Sequence, residues 1–146
     1  MESNLAATIT AIGEDIKDLR DAQLGGRTTL TINAGTLASN ATAQGAIAVP
    51  AGLCLRKITT SVSCRVRLYP SASARNIDLS RQLGVDYIQG SALFLEFYST
   101  AALLSAVLSP AIACYSDDDF LYYSIQNLSP SSATVTVSFD HLPQEL

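Results

Sequence analysis

The chain reads as mainly β, an antiparallel β-sandwich of jelly-roll or immunoglobulin-like type preceded by a short N-terminal coiled-coil helix. Three observations predict this. Apolar residues near the amino terminus recur at alternating spacings of four and three. Beyond Gly25-Gly26 the period falls to two, and seven or eight short runs of this kind, separated by turn residues, fill the remainder. The expected division is a trimerisation or attachment helix at residues 1–26 and a sandwich at 27–146.

The helix comes first. Leu5, Ile9, Ile12, Ile16 and Leu19 form a single stripe, and with Leu5 at position d of a heptad, Ile9 and Ile16 become a, Ile12 and Leu19 become d, and Gln23 is the next a. Ile at a with mixed Leu and Ile at d leans away from a pure dimer, so a parallel homotrimer is the expected assembly. In this register Asp15 is g and Arg20 the following e, the spacing at which neighbouring parallel helices exchange charge. Ser3 or Asn4 suits the N-cap and the glycine pair stops the helix. The seam is short and carries Gly13 at its middle, so it would not hold three chains together alone. The competing expectation is an amphipathic helix packed on its own domain.

The strands follow. Thr28 to Asn33, Gln44 to Val49 before Pro50, and Leu53 to Ile58 are the first three. In Ser61 to Tyr69 the residues Val62, Cys64, Val66 and Leu68 alternate with Ser63, Arg65, Arg67 and Tyr69, which predicts one core face and one polar face. Pro70 to Gly90 mixes small, charged and turn-forming residues, an excursion expected to hold a short helix over Ala72 to Leu83. Leu93 to Tyr98, Ala102 to Leu108 (or a brief helix there), Phe120 to Asn127 and Ala133 to Leu142 complete the set, the last two joined by a turn at Leu128 to Ser132.

Composition narrows the function. Of 146 residues 48% are apolar and only 15% charged, against roughly 25% in ordinary soluble domains, which suggests surface buried between subunits. A net charge of −4 with nine scattered basic residues argues against nucleic acid as a partner. No apolar run is long enough for membrane insertion, and the start, MESNLAATIT, lacks a basic n-region and apolar h-region, pointing to a chain that is cytosolic at synthesis.

Chemistry-bearing motifs are sparse, and no catalytic, cofactor or metal residue is assigned. Cys54, Cys64 and Cys114 lack CxxC spacing and sit among apolar neighbours, as buried thiols do, although a Cys54 to Cys64 bridge stays open. His141, the one histidine, has no matching nucleophile motif and is expected at a strand end, partly exposed or at an interface. Asp117, Asp118 and Asp119 offer carboxylates to a hard cation, but consecutive carboxylates rarely face one ion, so a solvated turn is expected. Arg75, Asp78 and Arg81 have helical spacing and predict a weak surface ion network, or a contact with a glycan or another polar partner. Six tyrosines suit interfaces or sugar stacking, while the lack of tryptophan weakens a lectin reading. A depolymerase would need facing carboxylates about 5 to 9.5 Å apart. Glu96 and Asp140 are the candidates, with nothing pairing them.

The runs VRLY (66–69), the small-residue stretch carrying Arg75 and Arg81, TAALLS leading to LSP, and the closing NLS followed by TVTVSF resemble a domain of tail-fibre and baseplate-associated structural proteins of tailed bacteriophages, including cyanophages. The resemblance spans about half the chain, from Arg65 to Ser116 and from Tyr122 to Phe139. It implies a virion structural protein of the tail, commonly trimeric, that mediates host attachment. The implied partners are other phage tail or baseplate proteins and a host surface glycan. The alternative it leaves open is a baseplate adaptor or capsid-decorating protein that binds only other virion proteins.

Overall fold

The computed structural model describes residues 2–23 and 27–144, with side chains described over 4–17 and 27–144. Helix α1 (Glu2–Gln23) leads into eight strands: β1 (Thr28–Leu37), β2 (Thr42–Ala48), β3 (Gly52–Thr60), β4 (Cys64–Tyr69), β5 (Leu95–Tyr98), β6 (Ser105–Tyr115), β7 (Phe120–Asn127) and β8 (Ala133–Gln144). A second helix, α2 (Ala72–Asp78), lies between β4 and β5.

Two four-stranded sheets face each other, ordered β1-β8-β3-β6 and β2-β7-β4-β5, with every pairing antiparallel. Chain connections alternate between the sheets except at β4 to β5, where the 70–94 excursion returns the chain to the same sheet. This is the double Greek key of a jelly roll, which decides between the two sandwich types the sequence allows. The core lies between the sheets and is built from Ile32, Leu53, Leu55, Ile58, Cys64, Val66, Leu68, Leu121, Ile125, Val135, Val137 and Phe139. These alternate along their strands as a half-buried pleat requires.

The outer face of the first sheet is a carpet of hydroxyls. Thr31 meets Ser138 at 3.2 Å, Thr36 meets Thr134 at 3.0 Å, and Thr59 meets Ser105 at 3.0 Å across adjacent strands. Such cross-strand pairs contribute roughly 0.2–1 kcal/mol each and leave the face polar but uncharged. One irregularity interrupts it: β3 shifts register between Leu55 and Lys57 against both neighbours, so Arg56 is an extra residue and both Arg56 and Lys57 are exposed. Opposite the bulge, residues 108–111 of β6, which include a cis Ser109-Pro110 bond, have no partner on β3.

Three expectations need correction. The Arg65, Arg67 and Tyr69 face of β4 is not solvated: all six residues of β4 are buried, because the excursion lies over it. The short helix ends at Asp78 and not at Leu83, capped at its start by Ser71, whose Oγ accepts from Ala74 N at 3.1 Å. At its end the Asp78 carbonyl accepts from Arg67 Nη1 at 2.7 Å and from Arg81 N at 3.2 Å, so the last turn is satisfied by a cation and a tight turn. The sixth strand runs Ser105 to Tyr115, displaced from the expected Ala102–Leu108, while Ala102 and Leu103 belong to a turn closed by Thr100.

Candidate functional site

The stripe Leu5, Ile9, Ile12 and Ile16 is 52–63% exposed, and every described side chain of α1 faces solvent. Among the described residues no side chain of α1 is buried against the sandwich. Asp15 is exposed too. The side chains of Leu19, Arg20 and Gln23 lie outside the described residues. Thr8 and Thr10 donate back to the carbonyls of Asn4 and Ala6, at 2.8 and 3.0 Å, which satisfies their hydroxyls within the helix.

Beneath the excursion sits a buried ion network. Arg81 grips Asp78 with two bonds, Nε to Oδ1 at 2.6 Å and Nη2 to Oδ2 at 3.0 Å. Arg67 Nη1 reaches Asp78 Oδ2 at 3.1 Å, its Nη2 donates to Ser124 Oγ at 3.1 Å, and Tyr69 OH donates to Asp78 Oδ2 at 2.6 Å. Glu96 links the second half, accepting from Arg65 at 2.7 Å, Arg81 Nη1 at 2.9 Å and Tyr98 OH at 2.7 Å. Arg65 and Arg81 also tie down the loop by donating to the carbonyls of Arg81 and Val85, both at 2.8 Å. Burial by itself would raise the Asp78 carboxyl, but the hydrogen bonds from Arg81 and Tyr69 and the charges of Arg81 and Arg67 outweigh it and hold the group at about 2. The Tyr69 phenol moves the other way, raised first by burial and then by its bond to Asp78.

Arg75, Asp78 and Arg81 do not form one surface network: Asp78 and Arg81 are buried, and Arg75 turns away to donate to the Gly45 carbonyl at 3.0 Å and to lie 5.8 Å above the Tyr122 ring. Glu96 is occupied by two arginines, and Asp140 lies on the other sheet accepting from Thr29 at 3.3 Å, so the two carboxylates do not flank a shared cleft. The network has acids and bases, but each is engaged in holding the excursion down.

His141 is buried at the edge of the core, with Nε2 3.0 Å from Thr28 Oγ1. Asp118 organises its turn: its Oδ1 accepts from Ser116 Oγ at 3.0 Å and Phe120 N at 3.2 Å, and its Oδ2 from Tyr122 OH at 2.6 Å. Among the described residues no three His, Cys, Asp or Glu side chains are close enough to share a metal ion. All three cysteines are free, and burial pushes the Cys114 thiol up to about 12.

Sequence reasoning missed Asn127. Fully buried between β7 and the closing turn, it donates Nδ2 to the carbonyls of Leu37, Ala38 and Ser131 at 2.9–3.2 Å and accepts from Ser129 N and Oγ. Only its place just before a Ser/Pro turn hinted at this role. Beside that turn, Ser61, Val62, Ala101, Leu104, Ser129 and Pro130 line an open, mostly apolar recess of about 290 Å³, and the hydroxyls of Ser61 and Ser129 are already bonded to backbone.

No protein-family profile and no curated protein matches the chain. Among solved structures it is similar to PliG from Aeromonas hydrophila, a periplasmic inhibitor of g-type lysozyme, at 11% identity over 82% of this chain and 89% of that one, with a TM-score of 0.32.

Proposed function

We propose that the chain is a virion structural protein, the subunit of a trimeric tail fibre or tail-tip component that mediates host attachment and catalyses nothing. The observation that carries this reading is the solvent-facing stripe of α1: four Leu and Ile side chains at heptad a and d positions, each more than half exposed. Burying each contributes roughly 1.5–3 kcal/mol, and identical copies are the partners whose a and d residues match it. The parallel charge exchange of Asp15 with Arg20 supports the same arrangement, and the resemblance of the 65–116 and 122–139 runs to phage tail proteins supplies the biological setting. Three heads on one axis would turn weak contacts into useful avidity through effective concentration.

A second reading is a baseplate or tail adaptor, or a capsid decoration, that touches only virion proteins. It is favoured by the exposed apolar side chains of the excursion, Ile77, Leu83, Val85 and Tyr87, a surface suited to a protein partner. Binding of the purified protein to intact host cells separates the two. The attachment reading expects saturable binding that blocks infection; labelled protein that decorates particles and ignores cells supports the adaptor.

A further inference from the structure

The chain has nine Lys and Arg residues, of which Lys17 and Arg20 lie on α1. Of the seven on the sandwich, Arg65, Arg67 and Arg81 are consumed by the buried network and Arg75 by the Gly45 carbonyl and the Tyr122 ring. The remaining three, Arg27, Arg56 and Lys57, line one cavity of about 100 Å³ on the outer face of the first sheet, together with Val107 and Asp140. Among the described residues none of the three has an ion pair or a side-chain hydrogen bond. Three cations around one carboxylate, Asp140, give this cavity a net positive charge on a protein of net charge −4.

The β3 bulge causes the clustering. In an unbroken strand Arg56 and Lys57 would point to opposite faces, and the extra residue turns both outward. Bulges commonly re-aim side chains beside binding sites. Lys57 stands opposite Asp140 on β8 and Val107 on β6, and Asp140 stands opposite Thr29 on β1, so the site crosses all four strands in one row. From there the hydroxyl carpet continues through Thr31 and Ser138.

We propose that Arg27, Arg56 and Lys57 bind the anionic group of an acidic saccharide, whose ring hydroxyls lie on the adjoining Thr/Ser face and Asp140. The chemistry matches at each point: guanidinium and ammonium groups for a carboxylate, sulfate or phosphate, hydroxyls and one carboxylate for sugar hydroxyls, and the 76% exposed Val107 for the apolar face of a ring. A cavity this small takes one anionic group and not a duplex. Exposed charge pairs are individually weak, so the single-site Kd is on the order of millimolar and gains from repetition on an oligomer. The inference names the ligand class for the attachment reading and rests on it.

The test uses the full-length protein with dextran sulfate and oligogalacturonate as anionic probes, neutral dextran as the control and inorganic sulfate as competitor. Expected are binding of at least one anionic polymer, none of neutral dextran, weakening with salt, displacement by sulfate, and about a tenfold loss of affinity in R56Q/K57Q. Both substituted side chains are exposed, so an unchanged melting temperature shows the fold intact. Equal binding by the double variant, or none by the unmodified protein, overturns the proposal. So does a change of oligomeric mass in the variant without saccharide binding, which would make the cavity a contact between subunits. The oligomer itself is judged from the mass of the unmodified protein, so the two readings fail separately.

Discussion

Asp78 shows how one carboxylate fixes twenty-five residues of excursion. It accepts from Arg81, Arg67 and Tyr69 while fully buried, so removing its charge leaves the buried Arg67 guanidinium without a counter-ion and Arg81 with Glu96 alone. Breaking a buried pair from one side costs about 3–5 kcal/mol, and Asp78→Asn is expected to lower stability to denaturant by that amount, with Arg75→Ala costing under about 1 kcal/mol. The pH dependence has a definite sign. The folded carboxyl sits at about 2 against an ordinary value near 3.8, so its contribution of ~2 kcal/mol is complete above pH 4 and is lost as pH falls through 2. Acid unfolding of the unmodified protein should therefore steepen in that window, and the same titration of Asp78→Asn should lack the step. Asn127 gives a second residue-level test. Asn127→Asp would point a carboxylate at three backbone carbonyls and should cost more than Asn127→Ala, itself about 2–3 kcal/mol, in chemical denaturation. Neither role was legible in the sequence, because an Arg-x-Arg-x-Tyr strand face reads as solvated until the segment covering it is known.

At the scale of elements, strands were legible wherever alternation was clean. β7 was expected with the bounds it has, while β1 runs four residues further and β8 two. β6 was mislocated because Pro110 reads as a strand end, yet β6 is the edge of its sheet, where a missing backbone donor leaves no neighbour unpaired. The β3 bulge left no mark in the sequence beyond two adjacent cations. Glycines in two elements make opposite predictions. Gly13 is mid-helix with open space where a Cβ would go, so Gly13→Ala should stabilise α1 by up to about 1 kcal/mol, read as higher helical content and a higher Tm. Gly45 on β2 lies directly against Tyr123, where an added Cβ would land on the ring and its hydroxyl. Gly45→Ala should cost about 1–3 kcal/mol by displacing a side chain packed on the core.

For the whole molecule, the parts divide the work. The sandwich closes its own core, the buried arginines fasten the excursion to the second sheet, and the hydroxyl face with its three cations stays open on the first. Among the described residues of α1, the stripe side chains Leu5, Ile9, Ile12 and Ile16 face solvent. Strand number and turn spacing narrow the layout to two sandwich types, because a mainly antiparallel chain with few charges has few other ways to cover both sheets. The basic cavity was not foreseen, since it is assembled from residues 27, 56, 57, 107 and 140, which only sheet register brings together. Sedimentation equilibrium on the full-length protein and on I9N/I16N tests the central claim most directly. The account predicts three times the 15.4 kDa chain mass for the former and a folded, lighter species for the latter, with the sandwich melting unchanged. A full-length protein that sediments as a 15.4 kDa monomer at micromolar concentration would contradict it.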